Sequence, residues 1–483
     1  MLIGVITFIP YAYFYPGGGW NQNSRFDLVR AITERHALSI DAYQENTRDK
    51  AFANGHYYSD KAPGVALLAV PIALATRPVL RIARVDPESP RGVVAISYFA
   101  TIFTIALPMA MACACLFRIA LRLGGSNSSA VFAALAMGLA TPMWAYATLF
   151  WGHALAGACL VFTFAAALKL AGSLGRSYDM AWAIAAGLAA GWATVTEYPA
   201  APASLILAIF ALRLVWKDGW PRRRRIAAGL ALGALPCVAL LLIYQRAAFG
   251  SAFRPSYSYY PAGAFPWMRH GYMGLTYPRI DVALKILFNC HRGLLLAGPV
   301  VFAAPFGLRW LWKQPATGVA AATVTSIAAY YFLFSSSFPG VPGWSYGPRY
   351  LSAALPLLCL GLSPVWDHAP HYWRRLVATL AVCGGLFTLM AVSTTPQPAD
   401  GFACPMLQLI VPSFWAGKLS LNAGSMLTIA EAGASHSGHA FNLGELVGLH
   451  GLPSLLPLLA LWAATAFLWI RANGQPRRNP SEK

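Results

Sequence analysis

LIGVITFIPYAYFYPGGGWNQNSRFDLVRAITERHALSIDAYQENTRDKAFANGHYYSDKAPG, residues 2–64, changes character at Pro16. Leu2 to Tyr15 carries no charge, whereas Arg25 to Lys61 is dense in both signs. The first part reads as a membrane span, although it is short against the ~17–25 residues that usually cross a bilayer. A signal peptide is the rival reading, but the run lacks a basic n-region and a small-residue cleavage site. A tilted span, or a chain that starts further upstream, accounts for the length.

The rest of the chain repeats the apolar theme. Hydrophobic residues make up 57% of the 483 and charged ones only 11%, against ~25% charged in ordinary soluble domains. A soluble protein could not bury so many apolar blocks, so the fold class is all-α and polytopic, with about twelve (11–13) transmembrane helices in one membrane domain over 1–483. The spans are predicted at 2–15, 93–117, 129–149, 154–172, 181–196, 199–216, 226–244, 295–311, 316–335, 352–366, 376–394 and 453–470. The stretch 64–76 is interrupted by Pro71 and runs into Arg77, Arg81 and Arg84. It is predicted to be an interfacial helix.

The net charge of +19 is not a nucleic-acid signal, since the run Arg222 to Arg225 is wedged between apolar blocks and no nucleic-acid-binding motif accompanies it. It reads as topology. With the N-terminus inside, the inner segments hold 18 basic and 4 acidic residues, net +14, and the outer ones hold 18 and 13, net +5. Both termini are therefore expected in the cytoplasm. Three outer loops are long: 16–92, the first and periplasmic one with interfacial helices, 245–294, and 393–452. Long loops on one face usually carry function. Of eight cysteines, only Cys290 and Cys404 fall in loops. Both face an oxidising compartment, which makes a disulfide between them the expectation. No CxxC pair is present, and no metal site is assigned.

In the first loop, Ser24 and Asp27 have the spacing of a capping box. Phe26, Val29, Ile32 and Ala37 lie near one helix face, so an amphipathic helix resting on the bilayer is expected, with Asp27 a cap rather than a catalyst. Asp41, Glu45, Asp49, Asp60 and Lys61 follow, beside Gly55, Tyr57, Tyr58 and a Lys-Ala-Pro-Gly turn. They are either solvated loop charge or the makings of a site.

A short first span followed by a long outer loop ending in YYSDKAPG resembles the GT-C superfamily of membrane glycosyltransferases. The likeness is in particular to bacterial relatives of the protein O-mannosyltransferases and of the lipid A aminoarabinose transferases. The family's G-x-x-Y-x-x-K-P-P-L-like stretch corresponds to Gly55, Tyr58, Lys61, Pro63 and Gly64. A bacterial subset carries SR, ID, T-x-D-K and YSDK-P-G, matched by Ser24-Arg25, Ile40-Asp41, Thr47 with Asp49-Lys50, and Tyr58 to Gly64. TLFWGHALAG, TVTEYP, HRGLLLAGP and WSYGPRYLSAALP are similar further along. One departure matters: the family's Asp-Glu after the first span falls on Gln22-Asn23.

The resemblance implies transfer of a sugar, hexosyl or pentosyl, from a polyprenyl phosphate to a lipid, glycan or protein acceptor at the outer face of a bacterial inner membrane. The acceptor hydroxyl needs a general base and the leaving phosphate needs cations. Asp49, then Asp41, are the catalytic candidates; ion pairs with Arg48 or Lys50 are the alternative. Lys61, Arg25 and Arg349 are candidates for the phosphate, against a local Lys61–Asp60 pair and a snorkelling Arg349. Tyr58, His153, Glu197 and Tyr198 are further substrate-binding candidates. No cofactor is assigned; a divalent cation is left open, with His153 beside it. The aromatic run YSYYPAGAFPW either covers the acceptor or lies in the aromatic belt. A secondary transporter or lipid flippase is the rival class, but the charges gather at span ends and no repeat relates two halves.

Overall fold

The structure, a computed structural model, describes residues 2–171, 178–261, 265–269, 271–341, 343–422, 424–432 and 439–474. A helix stands at each of the twelve expected spans. We label α1 (Leu2–Tyr13), α2 (Trp20–Arg35), α3 (Gly64–Ile82), α4 (Pro90–Arg122), α5 (Asn127–Leu139), α6 (Gly152–Ala171), α7 (Asp179–Thr196), α8 (Ala200–Leu214), α9 (Trp220–Phe249), α10 (Gly318–Ser336), α11 (Arg349–His368) and α12 (His371–Thr394). The apolar helices Met406–Trp415 and Leu452–Leu468 follow as α13 and α14. Among the described residues, seven helices are long and apolar enough to cross a membrane. The protein is an all-α polytopic membrane protein.

Small residues let the helices approach closely. A Cβ added at Gly187 of α7 would stand 2.1 Å from the Leu230 carbonyl oxygen of α9, and one added at Gly233 of α9 2.1 Å from that of Ile184. Helix α6 is buried along nearly its whole length and forms the centre of the bundle. Strand β1 (Phe14–Tyr15) extends the short α1 and pairs, antiparallel, with a late strand, Phe441–Asn442. The third outer loop is thereby pinned to the top of the first span.

The first outer loop departs from expectation. Helix α2 is present, but it is enclosed by protein rather than amphipathic with one open face. Gln22 to Ala31 are all buried, because the third outer loop covers its other side: Arg30 pairs with Glu431 at 2.6 Å and Asn23 donates to the Ser425 carbonyl at 2.8 Å. Nor do Ser24 and Asp27 cap it, since the helix begins earlier, at Trp20, with Gly19 as its N-cap. Helix α3 has the length and composition of a span. Yet it lies alongside α2. Arg25 near the start of α2 donates to the Ala62 carbonyl at 3.1 Å, and Glu34 at its end meets Arg77 near the end of α3 at 2.7 Å. Between them a hairpin, β2 (Lys50–Ala53) and β3 (His56–Ser59), turns at Asn54 and Gly55, both with positive φ.

Cys290 and Cys404 form the expected disulfide, joining the second and third outer loops with Cα atoms 4.9 Å apart.

Candidate active site

The loops and span ends enclose a cavity of about 1050 Å³. At one side of it, β3 delivers Asp60 and Lys61 just before α3 begins. Asp60 is fully buried and accepts from Ser24 Oγ at 2.9 Å, from Lys61 Nζ at 2.8 Å and from the Tyr260 hydroxyl. Lys61 Nζ reaches the Asp49 carboxylate as well, at 2.8 Å. Burial works against the Lys61 ammonium, but the Asp49 and Asp60 carboxylates outweigh it and hold the group above the ordinary lysine value. Asp60 is thus spent inside the protein. Asp49 faces the cavity, with one carboxylate oxygen on Lys61 and, among the described residues, no hydrogen bond to the other.

Beside this lies a second group. Arg25 Nη2 pairs with Glu197 Oε1 at 2.7 Å, and His153 Nδ1 stands 3.8 Å from the same oxygen. Glu197 sits where α7 ends and closes onto the start of α6; a Cβ at Gly152 would lie 2.2 Å from Glu197 Oε1. The Trp151-Gly152-His153 sequence therefore needs glycine at its centre. Arg349, at the start of α11, touches the Tyr350 hydroxyl at 3.1 Å. Its guanidinium packs against Gly343, where a Cβ would stand 2.2 Å from Arg349 Nη1. Among the described residues Arg349 has no acidic partner within ion-pair distance, and its buried Nε has no hydrogen-bond partner. A half-buried cation without a counter-ion suits an anionic ligand.

No family model and no curated protein matches this chain. Solved structures do. ArnT from Cupriavidus metallidurans bound to undecaprenyl phosphate is similar with a TM-score of 0.53 and 16% identity, over 96% of this chain and 73% of that one. The apo state of the same protein gives 0.51 and 15% over the same shares. The Archaeoglobus fulgidus oligosaccharyltransferase, in complex with Zn and sulfate, gives 0.51 and 13%, over 86% of this chain and 55% of that one. The chain has the GT-C fold.

Within the GT-C fold, seven of the nine expected residues line the one cavity: Asp49, Arg25, Lys61, His153, Glu197, Tyr198 and Arg349. Asp41 and Tyr58 do not. Asp41 lies on the exposed side of the hairpin, bonding His56 Nδ1 and the Tyr57 amide, each at 2.7 Å. Tyr58 packs on Phe249, with ring centroids 5.3 Å apart. The ion pairs offered as an alternative for Asp49 do not form: Arg48 stacks on Trp20, and Lys50 turns to Gln44. Gln22, at the position of the family's acid, is fully buried and holds Trp151 Nε1 at 2.7 Å. From the aromatic run of the second loop, Tyr257 and Tyr260 lie against the charged node and in the lining.

Reading the sequence residue by residue missed Trp20, Trp344 and Asp400, all in the lining. They lie outside the charged stretch of the first loop, and only Trp344 falls in a family-like piece. Among the described residues, no group of three His, Cys, Asp or Glu side chains is close enough to hold a metal ion.

Proposed function

We propose that this protein transfers a glycosyl group from a polyprenyl-phosphate donor to a hydroxyl acceptor at the outer face of a bacterial inner membrane, with both termini in the cytoplasm. The observation that carries this reading is the pairing, in one cavity at the span ends, of a carboxylate, Asp49, and a cation, Arg349, the first with a free oxygen and the second without a counter-ion among the described residues. The ArnT structure to which the chain is similar is described as bound to undecaprenyl phosphate, which supports a donor of this class.

The acceptor O–H gives its proton to Asp49 as the oxygen bonds to the anomeric carbon. The bond from that carbon to the phosphate oxygen breaks, and its electron pair leaves with the polyprenyl phosphate. Arg349 faces the phosphate, where the charge develops. Lys61 and Arg25, already tied to carboxylates, fix the wall that positions it. The apolar tail takes the groove between α8 and α10, lined by Pro199, Pro202, Tyr330 and Phe334. Residue Asp49 takes the base role in preference to Asp41, which lies outside the cavity.

The test is turnover. Purified protein in nanodiscs is incubated with a panel of polyprenyl-phosphate hexoses and pentoses, and release of polyprenyl phosphate is followed. At least one donor should be consumed by the wild type and not by Asp49→Asn. Consumption of none, with intact binding of a non-sugar solute instead, would favour the transporter reading.

A further inference from the structure

The third-loop side of the cavity differs from the span side. It is lined by Trp20, Asn21, Asn46, Trp344, Gln397 and Asp400. Trp20 and Trp344 stand 6.5 Å apart, nearly parallel, and are 47% and 50% exposed. Each ring is held. Trp344 Nε1 donates to Asp400 at 3.1 Å, and Asp400 is itself fixed by Arg292. The Trp20 ring has Arg48 5.2 Å from its centroid. The pair also adjoins the base, since Thr47 Oγ1 donates to the Trp20 carbonyl at 2.7 Å and accepts from the Asp49 amide at 3.0 Å.

The polar groups on this wall are mainly neutral, and several have capacity left. Asn46 Oδ1 is buried without a partner. Asn21 uses its oxygen on Arg25, and among the described residues its amide donates no hydrogen bond. A buried acceptor and a spare donor are satisfied by hydroxyls, which offer both functions at once.

The cations can be accounted for one by one. The cavity lining holds Arg25, Lys61 and Arg349. Arg25 is paired with Glu197, and Lys61 with Asp49 and Asp60. Only Arg349 is uncommitted, and the donor phosphate claims it. An acceptor that is itself phosphorylated finds no second uncommitted cation in the lining; Arg48, outside it, lies against the Trp20 ring. We infer that the wall of Trp20, Trp344, Asn21 and Asn46 is a saccharide subsite, so that the acceptor is a hydroxyl of a neutral glycan. The apolar C–H faces of a pyranose suit exposed indoles, and its hydroxyls suit the carboxamides. This deepens the glycosyltransferase reading and rests on it.

The experiment separates the two. Saturation-transfer NMR is run on the full protein in nanodiscs with neutral disaccharides, a glycan 1-phosphate and a serine/threonine-rich peptide. Binding of radiolabelled undecaprenyl phosphate is measured in parallel. Neutral disaccharides should bind the wild type, with the transfer concentrated on one face of the ring. Trp344→Ala and Trp20→Ala should each weaken that binding by about tenfold and leave undecaprenyl phosphate binding intact, which also shows that the variants fold. Binding of the peptide or of the phosphorylated glycan alone would overturn the subsite, as would disaccharide binding indifferent to both tryptophans. Loss of undecaprenyl phosphate binding in the wild type would instead overturn the donor reading.

Discussion

Asp49 and Asp60 share one lysine but stand in different surroundings. The Asp60 side chain is wholly enclosed, and that of Asp49 keeps 14% of its surface, open to the cavity. Only Asp49 can reach a substrate proton, and losing a general base typically slows turnover ~10²–10⁴-fold. Asp49→Asn should show that loss in a donor-release assay and still fold, because Lys61 keeps Asp60 as its counter-ion. Lys61→Ala should damage more than turnover. It leaves Asp60 buried without its cation, and breaking a buried pair from one side costs roughly 3–5 kcal/mol. A lowered unfolding temperature, in large part restored in Lys61→Arg, is the expected result.

Asp27 makes the opposite case, a carboxyl kept by the fold at a disadvantage. It is fully buried on α2, one oxygen takes the Asn46 amide at 3.3 Å, and the other has no partner among the described residues. Burial pushes its pKa well above the usual carboxylate range, with Asn46 and Arg30 only partly opposing. The folded state therefore binds this proton more tightly than the unfolded chain, whose value is ~3.9. The associated stability is present below that value and is lost as pH rises through the raised one. Asp27→Asn has no such proton to lose. Thermal unfolding between acid and neutral pH should show the variant gaining on the wild type as pH rises. Parallel profiles would show that Asp27 ionises in the folded state as freely as in the unfolded one.

At the scale of elements, the spans were legible because about twenty uncharged residues leave little choice in water or lipid. The first outer loop was legible only in part. Helix α2 followed from its periodicity, but its burial did not, because the cover comes from residues 424–432, some four hundred positions away. Separation of some three hundred positions or more likewise hid Trp344 and Asp400, which no local pattern joins to Asp49. The pairing of Cys290 with Cys404 could be anticipated, since no other cysteines lie in loops. This link closes a stretch of 114 residues beside the Arg292–Asp400 pair. Disulfides typically contribute about 2–4 kcal/mol, more for longer loops. Reduction should lower the unfolding temperature accordingly. It should also weaken disaccharide binding, through Asp400 and Trp344, more than undecaprenyl phosphate binding. Equal loss of both would point to general loosening of the outer loops.

At the scale of the whole molecule, the cavity constrains topology. Residues 25, 49, 61, 153, 197 and 349 come from four segments separated by spans, the first three sharing the first outer loop, and they meet at one face. The Arg222 cluster lies at the other end of the helices: Arg222 pairs with Asp179, at the start of α7, whereas Glu197 at the end of α7 belongs to the site. The two faces are thus fixed relative to each other, and the charge bias predicts that the cluster faces the cytoplasm. The test needs exposed positions. Asp41 and Phe253, both exposed, serve on the cavity face, and Arg224 on the other. Each is changed to cysteine in a protein whose six free cysteines are serine and whose disulfide is intact. A membrane-impermeant maleimide added to whole cells should label positions 41 and 253. Position 224 should react only after the membrane is opened. Labelling of 224 in intact cells, with 41 and 253 protected, would turn the molecule over and place the cavity in the cytoplasm, where the outer-face acceptor reading could not stand.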